Sequence, residues 1–339
     1  MRELLDVQKK LYPDLLAVMQ QRYAVLKNIE LLQPIGRRGL AVNSELTERN
    51  VRGEVEFLQR QGLIDVTSKG MHITNEGKLV IEQLAVFMHE ASGSSVLEKQ
   101  LKDKLQIGDV IIVPGNSDTD NWVKQEMGKA CAVFLQKRIE PIQTIAVTGG
   151  TTIAAVAEAM KPFENAKACL FVPARGGIGE KEENQANTIA AKMARQAKGE
   201  YRLLYVPDPL SETSYQTMIN EPTVNEILHI IKDADVVLHG IGDAMAMAKR
   251  RKTPDEVINE LRTKKAVSEA FGYYFDESGK VVHKVRTIGL HLDDLSARKL
   301  VVTVAGGKSK AQAIASYFRQ GKSDLLITDK AAAEEILKG

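Results

Sequence analysis

From Gly108 to the C-terminus the chain repeats one pattern, a short apolar run followed by a stretch with helical periodicity. The apolar runs fall at 110–113, 144–147, 168–172, 202–206, 236–239, 300–305 and 324–327. Helical stretches between them include 122–135, 187–197, 224–232 and 310–318. A strand with one face in water alternates apolar and polar residues. These runs are apolar throughout, so they belong to strands covered on both sides. Strand and helix in repeated succession imply a mostly parallel sheet with helices on both faces.

The N-terminal part follows another grammar. Up to about residue 91 it reads as helices and one short hairpin, and the small polar stretch Ala91-Ser92-Gly93-Ser94-Ser95 reads as a linker. A chain of 339 residues suits two domains of ~150 residues each; they are expected at 1–91 and 92–339. With 44% hydrophobic and 27% charged residues, the composition is that of soluble globular proteins. No apolar run approaches the ~18 residues of a membrane span. Met1–Asp6 brings acids too early for a secretory signal. Cys131 and Cys169 fall in a helical and a strand pattern and make neither a metal set nor a disulfide framework. A cytoplasmic protein without membrane contact is expected. The net charge of +2 neither demands nor excludes nucleic acid.

In the first domain, residues 35–42 read as a short helix, 43–46 as a tight turn and 47–62 as a second helix, with Thr47 as N-cap and Gly62 at C′. Val51, Val55 and Leu58 recur at helical spacing and face the core. The opposite face carries Arg49, Gly53, Glu56 and Arg60, flanked by Asn50 and Arg52. A glycine inside a helix costs about 1 kcal/mol relative to alanine. It makes sense where something packs close, such as a DNA strand. Arg and Asn are the side chains that pair bidentately with guanine and adenine edges. Residues 63–74 then place two short runs around Ser68-Lys69-Gly70, a wing-like hairpin. The whole is a mainly α winged helix-turn-helix, with Arg37, Arg38, Arg49, Asn50, Arg52, Gly53, Arg60 and Lys69 as DNA-binding candidates. A small helical interaction domain is the alternative. Before this unit Pro13 opens a helix with an expected stripe of Leu15, Met19, Tyr23 and Leu26. After it, Val80, Leu84, Phe87 and Ala91 step as in a short coiled coil, which either pairs two subunits or caps the domain.

The polar constellations of the second domain sit where strands end. In Ala146-Val147-Thr148-Gly149-Gly150-Thr151-Thr152 an apolar run stops at two glycines, and two threonines open an alanine-rich helix. The first amides of a helix lack partners and the dipole is positive there, which suits a phosphate. The loop matches neither G-x-G-x-x-G nor the lysine-bearing P-loop, so a sugar phosphate ranks before a nucleotide. An ordinary turn without ligand is the alternative. Arg175-Gly176-Gly177, His239-Gly240-Ile241-Gly242-Asp243 and Gly306-Gly307-Lys308-Ser309-Lys310 end other strands. Open α/β sheets bind ligands at such ends. Arg175 and Lys310 are candidate phosphate partners, or else solvated loop cations.

In combination, the helix-turn-helix at 35–62, the turns at 147–152, 172–177, 239–243 and 305–311, and Glu269-Ala270-Phe271-Gly272-Tyr273-Tyr274-Phe275-Asp276 closely resemble the sorbitol-operon regulator (SorC) family of sugar-binding transcriptional regulators. The resemblance spans essentially the whole chain. It implies a C-terminal Rossmann-like α/β domain similar to sugar-phosphate isomerases and deaminases. It also implies that Gly149, Gly150, Thr151 and Thr152 bind one phosphate, that Arg175, Arg250 and Lys310 bind phosphate, and that Gln185 and Glu269 bind sugar hydroxyls. The implied function is repression of glycolytic genes, relieved by fructose 1,6-bisphosphate, with no catalysis, metal or cofactor. Two glycine-rich turns and several cations offer the two anion sites that a bisphosphate needs. Operator readers act as oligomers, so a homodimer is expected, or a tetramer on DNA. The rival is an active isomerase or deaminase, with Asp243, Glu269 and His239 as candidate acid/base groups.

Overall fold

The computed structural model describes residues 11–44, 46–91, 93–138, 143–162, 169–177, 181–295, 299–320 and 323–339; Met1–Asp6, Ser92 and Ala168 fall outside them. The chain divides into two compact units, 1–96 and 97–339.

In the first unit, α1 (Pro13–Leu32) starts on its proline, whose missing N–H is not needed in a first turn. Its buried apolar residues are Leu16, Val25, Leu26 and Ile29, whereas Leu15 is 66% exposed. The expected stripe is thus offset by one residue at its start. Helices α2 (Arg37–Ser44) and α3 (Glu48–Arg60) follow. Thr47 Oγ1 accepts the Asn50 N–H at 3.2 Å, and Gly62, at φ +71°, ends the helix. Val51, Val55 and Leu58 are buried as their spacing predicts. Strands β1 (Ile64–Thr67) and β2 (Gly70–Ile73) form an antiparallel hairpin, and Ile35 adds a bridge to Met71. On α4 (Asn75–Ala91), Val80 joins the core of the unit, while Phe87 and Ala91 pack with Leu16 and Met19. Those three positions of the stripe pack within the unit. Gly93, at φ +76°, separates α4 from α5 (Ser94–Leu105). The expected linker therefore shrinks, because Ala91 closes one helix and Ser94 opens the next.

The second unit runs β3 (Asp109–Val113), α6 (Asn121–Arg138), β4 (Thr144–Val147), α7 (Thr151–Ala159), β5 (Leu170–Pro173), α8 (Ala186–Ala197) and β6 (Glu200–Tyr201). It continues through α9 (Glu212–Ile219), α10 (Pro222–Lys232), β7 (Val236–His239), β8 (Gly242–Asp243), α11 (Ala244–Arg250) and α12 (Asp255–Thr263). It closes with β9 (Ala266–Ala270), β10 (Tyr273–Asp276), β11 (Val281–Lys284), β12 (Leu300–Val304), α13 (Ala311–Phe318), β13 (Leu325–Asp329) and α14 (Lys330–Lys338). Seven strands form a wholly parallel sheet in the order β3-β13-β12-β7-β4-β5-β6. Successive residues of one strand enter different apolar cores. Ala146, Val172 and Val237 lie in one, and Ile145, Val147, Phe171, Val236 and Leu238 in the other. That is why these strands carry apolar residues on both faces.

Two features depart from the expectation. Of the run 202–206 only the preceding Glu200–Tyr201 pairs in the sheet, and Leu204 instead exchanges hydrogen bonds of 3.0 and 2.9 Å with the Asn187 side chain. A side-chain amide replaces the next strand bridge at this edge. Unexpected too is a small antiparallel sheet, β11-β10-β9-β8, whose Tyr274 packs on Ala244, Ala248 and Leu261 of α11 and α12. The chain passes from β4 to β5 and β6 on one side, then returns to lay β7 on the other side of β4. A crevice opens beyond the carboxyl ends of strands where such a reversal occurs.

Candidate functional site

At that crevice lies a cavity. The turn after β4 supplies Thr148–Ile153, the turn after β7 supplies residues 240–242, and Arg175, Asn184, Arg250, Glu269 and Lys310 reach it from other segments. All nine expected effector residues, Gly149, Gly150, Thr151, Thr152, Arg175, Gln185, Arg250, Glu269 and Lys310, line this one cavity.

The two glycines of the first turn have backbone reasons of their own. A Cβ on Gly149 would stand 2.6 Å from the Asn184 carbonyl oxygen, and Gly150 holds φ +117°. They shape the turn whether or not a ligand binds. The helix they introduce is the stronger pointer. α7 has no side-chain cap, and both of its opening threonines line the cavity. Uncapped first-turn amides and a positive helix end make a ready anion site.

The second glycine-rich turn differs. Gly307 donates its N–H to Asp329 Oδ2 at 2.6 Å, Ser309 donates to Asp118 Oδ2 at 2.7 Å, and Lys308 donates to Asn116 Oδ1 at 3.3 Å. The chain's own side chains occupy these amides. Of the two glycine-rich turns expected to offer anion sites, the first leads into an uncapped helix start, whereas the amides of the second are bonded to the chain's own side chains. From the latter only Lys310 enters the cavity. Burial, then the like charges of Arg250 and Lys124, hold the Lys310 ammonium below the ordinary lysine range, against the pull of Asp118 and Asp243. Its side chain has no ion pair among the described residues.

Arg250 and Arg251 face opposite fates. Arg250 is exposed and lines the cavity. Arg251 is 5% exposed, with Nη2 2.8 Å from Glu269 Oε1 and Nη1 3.1 Å from the Tyr274 hydroxyl. Arg175 is also buried; it pairs with Asp208 and stands 3.5 Å from Glu269 Oε1. Glu269 Oε1 takes the Gly272 N–H as well, at 2.7 Å. Burial pushes the Glu269 carboxyl up, but Arg251 and Arg175 more than offset it, leaving its pKa below the usual carboxylate range. Two arginines and two acids thus form a neutral buried floor. Lys310, Arg250 and the α7 terminus bring positive groups to the cavity. Asp208 and Arg251 escaped the sequence reading, since nothing in the Arg250-Arg251 pair shows which residue turns inward.

The acid/base candidates of an enzyme are held in structural roles. His239 is wholly buried, with Nε2 2.8 Å from Thr303 Oγ1 and 3.2 Å from the Tyr317 hydroxyl. Burial lowers its pKa to about 4, so the ring is neutral. Asp243 Oδ1 accepts the Ala246 N–H at 2.8 Å and caps α11. Glu269 belongs to the ion network.

All eight DNA-binding candidates are exposed on the first unit. Arg38 stands 3.8 Å from Glu48, and Arg52 pairs with Glu56 at 2.9 Å; Arg60 donates to the Glu56 carbonyl at 3.2 Å. A Cβ on Gly53 would meet nothing within 4 Å. No packing among the described residues of the unit therefore demands glycine at that point of α3.

Residues 18–88 match the family model described as the CggR N-terminal DNA binding domain, and residues 89–338 match that of a sugar-binding domain. The chain is 52% identical over 339 residues to the central glycolytic genes regulator of Priestia megaterium (strain DSM 319 / IMG 1521), covering 100% of this chain and 99% of that one. It is 49% identical over 338 residues to the regulator of the same name from Bacillus subtilis (strain 168), covering 100% and 99%. A SorC family transcriptional regulator from Enterococcus faecalis superposes with a TM-score of 0.68 at 47% identity, over 71% of this chain and 99% of that one. The full-length sorbitol operon regulator SorC from Klebsiella pneumoniae shares the fold, with a TM-score of 0.67 at 17% identity over 93% and 98%. With its DNA-binding and sugar-binding domains, the chain belongs to the SorC family of sugar-binding transcriptional regulators and is not an enzyme.

Proposed function

We propose that this protein represses glycolytic genes and leaves its operator when a phosphorylated sugar, fructose 1,6-bisphosphate foremost, fills the cavity. In this reading residues 1–91 are a winged helix-turn-helix, and residues 92–339 are an effector domain of the sugar-phosphate isomerase and deaminase type. The observation that carries it is convergence: an uncapped helix start, a lysine with no ion pair among the described residues and the other expected effector residues all line one cavity. Gly149, Gly150, Thr151 and Thr152 hold one phosphate, and Lys310 with Arg250 holds the other. Arg175 gives the second phosphate a partly neutralised partner. Gln185 and Glu269 meet sugar hydroxyls. The names of the two relatives near half identity support the choice of genes. The protein works in the cytoplasm as a homodimer, or a tetramer on DNA, without a cofactor. The sugar phosphate releases DNA only as far as it prefers the DNA-incompetent state.

The test is operator affinity across a fructose 1,6-bisphosphate titration. Thr152→Val removes a donor to a charged acceptor, which typically costs ~1.5–3 kcal/mol, so release should need roughly ten- to hundredfold more effector. Thr151→Glu places a negative charge at the phosphate position and should abolish release while operator binding persists. Normal release by both folded variants would remove the phosphate from this turn.

A further inference from the structure

A second cavity of the effector unit lies away from the first, between α9, α10 and residues 288–291. Tyr215, His229, Lys232 and His291 bring polar side chains to it, and buried Ile288 forms an apolar floor. No carboxylate is among its lining residues. The amide nitrogens of its asparagines both bond to α9: Asn220 Nδ2 donates to the Gln216 carbonyl at 2.7 Å, and Asn225 Nδ2, from α10, donates to that of Ile219 at 3.3 Å. Recognition is left to two imidazoles, an ammonium and a phenol. Among the described residues neither the His229 nor the Lys232 side chain has a partner. Burial and the charges of Lys284 and Lys232 hold the His291 pKa below its ordinary value, with Asp294 and Asp293 opposing.

The floor of this cavity is bonded to the lining of the first. Gly176 donates its N–H to the Ile288 carbonyl at 3.1 Å, and Leu290 donates to that of Ala174 at 2.7 Å. Between them Arg175 bridges to Gly289, where a Cβ would stand 2.3 Å from the Ala174 oxygen. Backbones packed this tightly have no slack, so displacing 288–290 displaces Arg175. We propose that this cavity is a second binding site, taking a small phosphate-bearing metabolite, and that the 174–176 and 288–290 ladder couples it to the first. The phosphate faces Lys232 and the two imidazoles, and the carbon body lies on Ile288.

The test uses the full chain with carbon-labelled histidine, read by NMR at the His229 and His291 rings, with inorganic phosphate and glycerol 3-phosphate as probes. Thr151→Glu blocks the first cavity, and wild type serves if that variant does not fold, because the two rings report this cavity directly. Both ring signals should shift and saturate, and the His291 titration midpoint should rise, since a bound dianion favours the imidazolium. Glycerol 3-phosphate should saturate at the lower concentration. Lys232→Gln should weaken binding by about tenfold or more, a loss of at least ~1.4 kcal/mol. Shifts absent at about 30 mM of either probe, corresponding to negligible affinity, or unaffected by Lys232→Gln, would overturn the site. Tighter binding of inorganic phosphate would overturn the metabolite. Failure of fructose 1,6-bisphosphate to release operator would count against the first cavity and leave these ring signals unchanged.

Discussion

Lys310 shows at the scale of one residue how the proposed effector site would favour an anion. Burial and like charges disfavour its ammonium, and a bound phosphate restores it. Binding therefore takes up a proton wherever pH exceeds the depressed lysine pKa, so affinity falls as pH rises through that window. Phosphate monoesters are already dianionic above about pH 7, their second pKa lying near 6, and do not contribute there. Calorimetry between pH 7 and pH 10 should show fructose 1,6-bisphosphate affinity declining for wild type. For Lys310→Met it should be weaker and flat over the same range; an unchanged slope would free Lys310 from the site. Glu269 is the counterpart on the cavity floor. Glu269→Gln leaves Arg175 and Arg251 facing one acid, and removing one partner of a buried ion set typically costs ~3–5 kcal/mol. Urea unfolding measures this, and a loss below about 1 kcal/mol would mean that water or neighbours replace the carboxylate. The sequence contains both residues, yet their state depends on neighbours distant in the chain: Arg175 and Arg251 for Glu269, and Asp118 with Lys124 around Lys310.

At the scale of elements, α3 was legible because its signals agree. A threonine cap, a glycine stop and three apolar residues at helical spacing define it without outside help. Gly53 stands apart from that agreement, since neither the helix nor its packing needs it. Gly53→Ala should stabilise the free protein by up to about 1 kcal/mol and weaken operator binding, as followed by thermal unfolding and gel shift. Unchanged operator affinity would separate this face from DNA. Arg49→Ala should lose ~1–3 kcal/mol of specific binding if Arg49 reads a base edge. Arg52 must first leave Glu56, so its variant should lose less at equal geometry. The run 202–206 was misread as a strand because apolar residues mark burial, not pairing; Leu204 is buried while bonded to a side chain. The small antiparallel sheet was missed because its strands are only two to five residues long, too short for periodicity to show.

At the scale of the molecule, the two compact units predict separable functions. A fragment spanning 97–339 should fold alone, bind fructose 1,6-bisphosphate in calorimetry and show no operator affinity. A folded fragment that fails to bind would place part of the effector site in the first 96 residues.

Local chemistry by itself determined the division into two grammars, the parallel sheet, the helix at 48–60 and the uncapped helix start that follows Gly149-Gly150. Each of these depends on hydrogen-bond periodicity, side-chain spacing or the unmet amides of a helix start, all written within a few consecutive residues. Only the tertiary structure decided that the second glycine-rich turn is already filled by Asp329 and Asp118, that Arg251 rather than Arg250 is buried, and that Arg175 reaches the cavity already paired. Those outcomes turn on charges brought together across gaps of 18 to 191 residues, from Arg251 with Glu269 to Ser309 with Asp118. Coulomb interactions act through space, and sequence order carries no measure of that distance until the chain has folded.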